Sequence, residues 1–201
     1  MKRTVTFGEI MLRLKTPEHM RILQTDAFEA SYGGAEANVA VSLAVLKDPV
    51  SFVTKLPENP VGTAALNEVR RYGADTSKVV IGGSRLGIYF FEKGTDIRPT
   101  NVVYDREGSA LALAKPEEFH WDEILKDTDI FYFSGVTPAV SENIAKAVLE
   151  ALKYCKAHGI ETVCDLNYRS KMWDTKKAQS VMSELMNYVT LCIANDEDFE
   201  S

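Results

Sequence analysis

Apolar positions in this chain of 201 residues fall into short continuous runs, separated by stretches spaced for helices. The opening TVTFGEI reads as a buried strand ending at Gly8, and the MLRLKTPEHMRILQTDAFEASY that follows lacks helical periodicity and reads as hairpin-like. From Gly34 the spacing of Val39, Leu43 and Leu46 predicts a helix carrying them on one face. Asp48-Pro49 stops it, and VSFVTKL is the next strand. A second helix is expected around Val61 to Tyr72, with Gly73 in the left-handed position beyond it and KVVIGG as a further strand.

The rhythm breaks between Gly87 and Leu113. GIYFFEKGTDIRPTNVVYDREGSALAL alternates apolar and polar residues around a Gly94-Thr95-Asp96 turn and predicts an antiparallel insertion. DIFYFSGV then resumes as a buried strand. Ser141 caps a helix with Ile144, Val148, Leu152 and Cys155 on one face, Gly159 ends it, and IETVCDLN is the next strand. Asp174 is expected to cap a last helix through Tyr188, before a final strand VTLCIAN that runs into polar NDED. Strands alternating with helices imply an α/β fold around a parallel sheet, in which ligands gather outside the carboxyl ends of the strands. Here those ends carry Gly8-Glu9, Ser134-Gly135, Asp165-Leu166-Asn167 and Asn195-Asp196-Glu197-Asp198.

Composition narrows the function classes. A net charge of -6, from 23 basic and 29 acidic residues, supplies no basic stripe, so no nucleic-acid partner is expected. No apolar run approaches membrane-spanning length, and Met-Lys-Arg-Thr leads straight into a strand pattern, so no membrane partner and a cytoplasmic location are expected. Cys155, Cys164 and Cys192 are odd in number, widely spaced and apolar in context, favouring buried thiols over disulfides or a zinc cluster. His19, His120 and His158 lack neighbours at ligand spacing. Met172, Met182 and Met186 read as core fillers.

Several strand-end groups suit a polyhydroxylated or carboxylated ligand. Gly33-Gly34 lies between a strand and a helix, where backbone can approach a ligand closely, although an ordinary turn looks the same. Asp165, Asn167 and Arg169 bring an acceptor, an amide and a guanidinium to one strand end, with a surface ion pair and helix cap as the plain alternative. Tyr89 and Tyr104 lie in the inserted segment, where aromatics usually pack, and Arg106 follows Tyr104 closely. SGVTPAV could present backbone at Gly135 and Val136, or simply be loop punctuation. NDED could be no more than a helix start.

GGAEANVA, SGVTPA and DLNYRSKMW together resemble the ribokinase-like (PfkB) carbohydrate kinases, closest to the 2-keto-3-deoxygluconate kinases, over essentially the whole chain. The resemblance implies a three-layer α/β core with a small β lid. Residues 1–201 would be the N-terminal part of one such domain, with lid segments at about 10–32 and 87–113. It implies sugar contacts from Gly33, Gly34, Asn38, Tyr89, Tyr104, Arg106, Val136, Asp165, Asn167 and Arg169, with the two arginines favouring an anionic acceptor. NDED resembles the family's Asn-x-x-Glu element, which assigns Asn195 and Asp198 to ATP and Mg2+, although Asp198 stands where the family has glutamate. Transfer of the γ-phosphoryl group of ATP to the 6-hydroxyl of 2-keto-3-deoxygluconate is the implied reaction. No Gly-Ala-Gly-Asp segment occurs in the 201 residues, so the catalytic aspartate is expected beyond them and the chain is expected to be inactive alone. A homodimer through the lid is expected from its exposed edges. Fructokinase or ribokinase-type activity, or a non-catalytic sugar-acid-binding protein on the same fold, remain the alternatives.

Overall fold

A computed structural model describes residues 2–199. The first half runs β1 (Thr4–Phe7), β2 (Met11–Lys15), β3 (Glu29–Gly33), α1 (Ala35–Val45), β4 (Val50–Val53), β5 (Lys55–Leu56), α2 (Pro60–Arg70), β6 (Val80–Ile81), β7 (Ile88–Glu92) and β8 (Asn101–Asp105). The second half adds α3 (Trp121–Ile124), β9 (Ile130–Ser134), α4 (Val136–Ala139), α5 (Glu142–His158), β10 (Glu161–Asp165), α6 (Thr175–Met186), β11 (Leu191–Ile193) and α7 (Asp196–Phe199).

Local chemistry sets the helix ends. The Asn59 Oδ1 accepts from the backbone of Val61 and Gly62 at 3.1 and 3.0 Å, and Pro60 occupies a position where its missing N–H costs nothing. Ser141 and Asp174 cap α5 and α6 in the same way, accepting from Ile144 and Lys177. Gly73 and Gly159 take positive φ, at 95° and 69°, beyond α2 and α5.

Five strands form a parallel sheet in the order β11-β10-β9-β1-β4. Each face of the sheet is covered, which gives three layers. Phe7, Phe131 and Phe133 meet Ile144, Val148, Leu152 and Cys155 of α5 on one side. On the other, Phe52 and Leu56 pack against Ala37, Ala40, Ala65 and Val69 of α1 and α2. Burying each of the larger side chains contributes about 1.5–3 kcal/mol, so these two clusters hold the layers together.

A separate four-stranded sheet has the order β3-β2-β7-β8 and is built by the two segments that lack helical period. It is mixed: β2–β3 and β7–β8 are antiparallel, whereas β2–β7 is parallel. The 87–113 insertion is thus antiparallel within itself, through β7 and β8, and joins the earlier segment through a parallel pair because β2 and β7 run in the same direction. Its last residues also leave the sheet, since Ala110 and Leu111 are buried in or beside the main core. VSFVTKL divides at Thr54 into β4 in the main sheet and β5, which pairs with β6 in a two-stranded sheet. KVVIGG accordingly does not extend the main sheet.

On α1 the buried residues are Glu36, Ala37 and Ala40; of the expected Val39, Leu43 and Leu46, Leu43 is half-buried against the core and Leu46 is 71% exposed. Small residues are needed where this helix crosses close over β1 and β4. Cys155 and Cys164 are buried and their thiols are pushed up by burial, to about 12 for Cys155, but Cys192 is exposed. The last long helix ends at Met186 rather than Tyr188. No helix among the described residues is long and apolar enough to cross a membrane.

Candidate functional site

The two sheets meet at Glu9, which follows β1 and precedes β2. Its buried carboxylate accepts from the Arg106 guanidinium, and from the Ser109 hydroxyl at 2.7 Å. Gly34 crosses directly beneath: a Cβ there would stand 1.8 Å from the Glu9 carbonyl oxygen, so only glycine permits the crossing. The neighbouring Gly33 faces two polar groups, its absent Cβ lying 3.7 Å from the Asn38 amide oxygen and 4.0 Å from the Tyr89 hydroxyl. Asn38 is exposed at the start of α1, where a backbone bond to the Gly34 carbonyl at 2.8 Å holds it.

Strand register brings Tyr89 opposite Tyr104, with ring centroids 5.9 Å apart. Burial pushes the Tyr89 phenol up. The Arg106 guanidinium stands 5.9 Å from the Tyr104 ring and also donates to the Met172 sulfur at 3.1 Å. One patch therefore collects Gly33, Gly34, Asn38, Tyr89, Tyr104 and Arg106 from four elements.

The second patch lies at the carboxyl ends of β9, β10 and β11. Ser134 pairs with Asp165, and Gly135 donates to the Asp165 carbonyl at 2.8 Å, packing too close to Leu166 to admit a Cβ. Val136 follows, its N–H donating to the Ser134 hydroxyl at 3.3 Å. Asn167 turns the chain at φ 38°. Asp198 accepts from the Tyr168 N–H at 2.9 Å and from the Asn195 N–H at 3.2 Å, while the Asn195 side chain accepts from the Asp198 N–H at 2.9 Å. Burial, and then the nearby Asp198 charge, hold the Asp165 carboxyl above its usual range, opposed by the Asn167 N–H and by Arg169. Arg169 is exposed and donates to the Tyr168 carbonyl at 3.3 Å.

A cleft of about 380 Å³ is lined by Val102 and Tyr104 on the small-sheet side and by Arg169, Asn195 and Asp198 opposite, so Tyr104 is the residue of the first patch that reaches it. Arg106 and Arg169 do not share this hollow; they stand on either side of Tyr104, Lys171 and Met172. Asp198 retains free lone pairs and the Asp165 carboxylate is close, an oxygen set that suits a hydrated Mg2+ arriving with nucleotide phosphates. No cluster of three or more His, Cys, Asp or Glu side chains able to hold a metal ion occurs among the described residues.

Sequence reasoning missed several groups at this junction. Glu36 is buried, and one of its oxygens accepts from the Ser134 N–H at 2.9 Å, the Ser134 hydroxyl at 2.6 Å and the Thr137 hydroxyl at 2.8 Å. Lys171 donates to the Val102 carbonyl at 2.9 Å, and Met172 is a partner of Arg106 rather than a core filler. A carboxylate on the buried stripe of a helix was the available signal for Glu36. Nothing local marks Met172.

All of residues 1–201 match the pfkB family of carbohydrate kinases, and the chain belongs to that family. It is 38% identical to the 2-dehydro-3-deoxygalactonokinase of Haloferax volcanii, over 98% of this chain and 62% of that protein. The crystal structure of 2-dehydro-3-deoxygluconokinase from Thermotoga maritima matches it with a TM-score of 0.97 at 49% identity, over 100% of this chain and 61% of that one. An uncharacterized sugar kinase from Pyrococcus horikoshii, solved in complex with ATP, shares the fold at a TM-score of 0.83 and 23% identity, over 94% of this chain and 62% of its own. The chain spans about three-fifths of the length of these relatives.

Proposed function

We propose that the protein carrying this chain phosphorylates a 2-keto-3-deoxy sugar acid with ATP, with 2-keto-3-deoxygluconate as acceptor and its 6-hydroxyl as the site of transfer. The observation that carries the reading is the cleft in which Tyr104 of the small sheet faces Arg169, Asn195 and Asp198 at the ends of the parallel strands. Its volume of about 380 Å³ falls within the range of about 300–1,000 Å³ usual for small-molecule sites. The names of two relatives, a 2-dehydro-3-deoxygalactonokinase and a 2-dehydro-3-deoxygluconokinase, support the same class of acceptor and differ only in the sugar's configuration.

In this reading Gly33 and Gly34 let backbone approach the acceptor, while Asn38, Tyr89, Asp165 and Asn167 serve its hydroxyls and Val136 closes one wall. Arg169 faces the carboxylate end within the cleft, where guanidinium geometry suits two oxygens at once, and Arg106, held by Glu9 across Tyr104, adds positive charge from the neighbouring hollow. Asn195 and Asp198 lie on the nucleotide side and would hold Mg2+ brought with ATP. The metal supplies neutralisation of phosphate charge. Phosphoryl transfer depends otherwise on alignment and on a carboxylate that takes the hydroxyl proton, and we assign that base to a segment outside these 201 residues.

The test is an ADP-release assay on the complete gene product with ATP and Mg2+. It compares 2-keto-3-deoxygluconate, its galactonate epimer, fructose and ribose. The expected result is a kcat/KM for one or both acids well above that for the neutral sugars. A preference for fructose or ribose would overturn the proposal.

A further inference from the structure

Register across the small sheet places Ser31, Arg13, Tyr89 and Tyr104 in one row. Residues paired directly across neighbouring strands project to the same face, so Arg13 stands on the face that carries the two tyrosines. The cations around the site differ in how far the protein already satisfies them. Arg106 is matched by Glu9, Lys171 donates to the Val102 carbonyl, and Arg169 holds the Tyr168 carbonyl while its charge opposes the upward shift of Asp165. The Arg13 side chain makes no hydrogen bond or ion pair among the described residues. Its guanidinium lies 4.1 Å from the centroid of the Phe91 ring, and its Nε is buried without a partner.

The carboxylates carried by this sheet's strands are engaged elsewhere, Glu29 with Lys15 at 2.8 Å, Glu92 with Arg98 at 3.6 Å and Asp105 with Arg85 at 2.8 Å. Arg13 acts electrostatically on Tyr89, where its charge opposes the upward shift caused by burial. Arginine stays charged at any physiological pH, so a half-buried, unmatched guanidinium costs desolvation energy that stacking on one ring only partly offsets. An anion beside Tyr89 would complete the balance.

We infer that Arg13 is a specificity-determining residue, its unmatched guanidinium recognising the carboxylate of the acceptor from the small-sheet side. The inference rests on the sugar-acid reading above and adds to it a residue of β2.

The experiment uses the complete gene product as wild type, Arg13→Met and Arg13→Lys, with KM and kcat measured for 2-keto-3-deoxygluconate and for fructose. Methionine keeps an unbranched stem over Phe91 while removing the charge. R13M should raise KM for the acid about tenfold or more with kcat within about threefold, leave fructose nearly unchanged, and be partly rescued in R13K. An unchanged KM for the acid, or equal losses on both sugars, would overturn the inference while leaving the sugar-acid reading intact. Failure of the wild type itself to prefer acids would overturn both. Light scattering on R13M adds one more outcome: a lost oligomer with unaltered acid preference would assign Arg13 to a subunit contact and likewise overturn it.

Discussion

Arg169 is exposed and holds one carbonyl, so truncating it removes charge without opening a core. In the complete protein, R169A should cost about 2–4 kcal/mol in kcat/KM for the acid acceptor and much less for a neutral one. Equal losses on acid and neutral acceptors would refute the carboxylate role. Removing this positive charge should also push the Asp165 carboxyl further up, measurable by carbon-detected NMR titration of the wild type and the variant. Glu36 makes a different prediction. Burial raises its carboxyl above the ordinary 4.5 despite the hydroxyls that favour the charged form. A carboxyl raised in the folded state contributes stability that is fully present below its unfolded value and lost as pH rises through its folded value. Melting temperatures of wild type and E36Q should therefore diverge upward from about pH 4.5, with the wild type losing ground. Parallel curves would show that Glu36 is not the titrating group.

At the scale of elements, a crossing as tight as that of Gly34 under Glu9 leaves no room for a methyl group. G34A should lower stability by about 2 kcal/mol or more, whereas G73A, with open space but φ 95°, should cost only about 1 kcal/mol. Chemical denaturation of both variants checks the order, and reversal would mean that β1 and α1 can part without loss. The GGAEANVA string pointed to this junction because a glycine pair before a helix is a local pattern. The same holds for α5, whose Ser141 cap, four-residue stripe and Gly159 stop all lie within the helix itself. What stayed hidden was set at a distance. β2 and β7 are far apart in sequence, and their parallel pairing depends on where the main sheet releases each of them. The buried side of α1 was misjudged because Ala37 and Ala40 carry little hydrophobic signal, although close packing selects them. Nothing in the sequence pairs Arg106 with Glu9, which lies 97 positions away. The small sheet also ends in two apolar side chains, Leu23 at 95% and Ile97 at 98% exposure. We propose that a second copy covers this end and the β3 or β8 edge. L23S combined with I97S should shift the complete protein from dimer to monomer in light scattering; a monomeric wild type would end the idea.

For the molecule as a whole, this chain should bind without turning over. In the function proposed above these residues supply grip and positioning and the base lies elsewhere, so ADP release by the 201-residue chain with 2-keto-3-deoxygluconate should stay at background. Robust turnover would mean that a described residue takes the hydroxyl proton. Among the described residues β11 pairs only with β10, and it presents Leu191 at 50% and Ile193 at 48% exposure, so the chain alone should form assemblies larger than those of the complete protein at the same concentration. Sedimentation of the two would decide it. The Glu9 carboxylate bears on motion as well. By holding Arg106 and Ser109 beside the start of β2, it pins the entry and the exit of the small sheet within reach of one side chain. Were the sheet to pivot, Glu9 would be the fulcrum, with the Tyr89–Tyr104 pair close to it and the turn at 93–100 at the tip. Small rotations about it would sweep the tip widely while barely shifting the tyrosines, so a change in the length of that turn should leave the Tyr89–Tyr104 pair undisturbed.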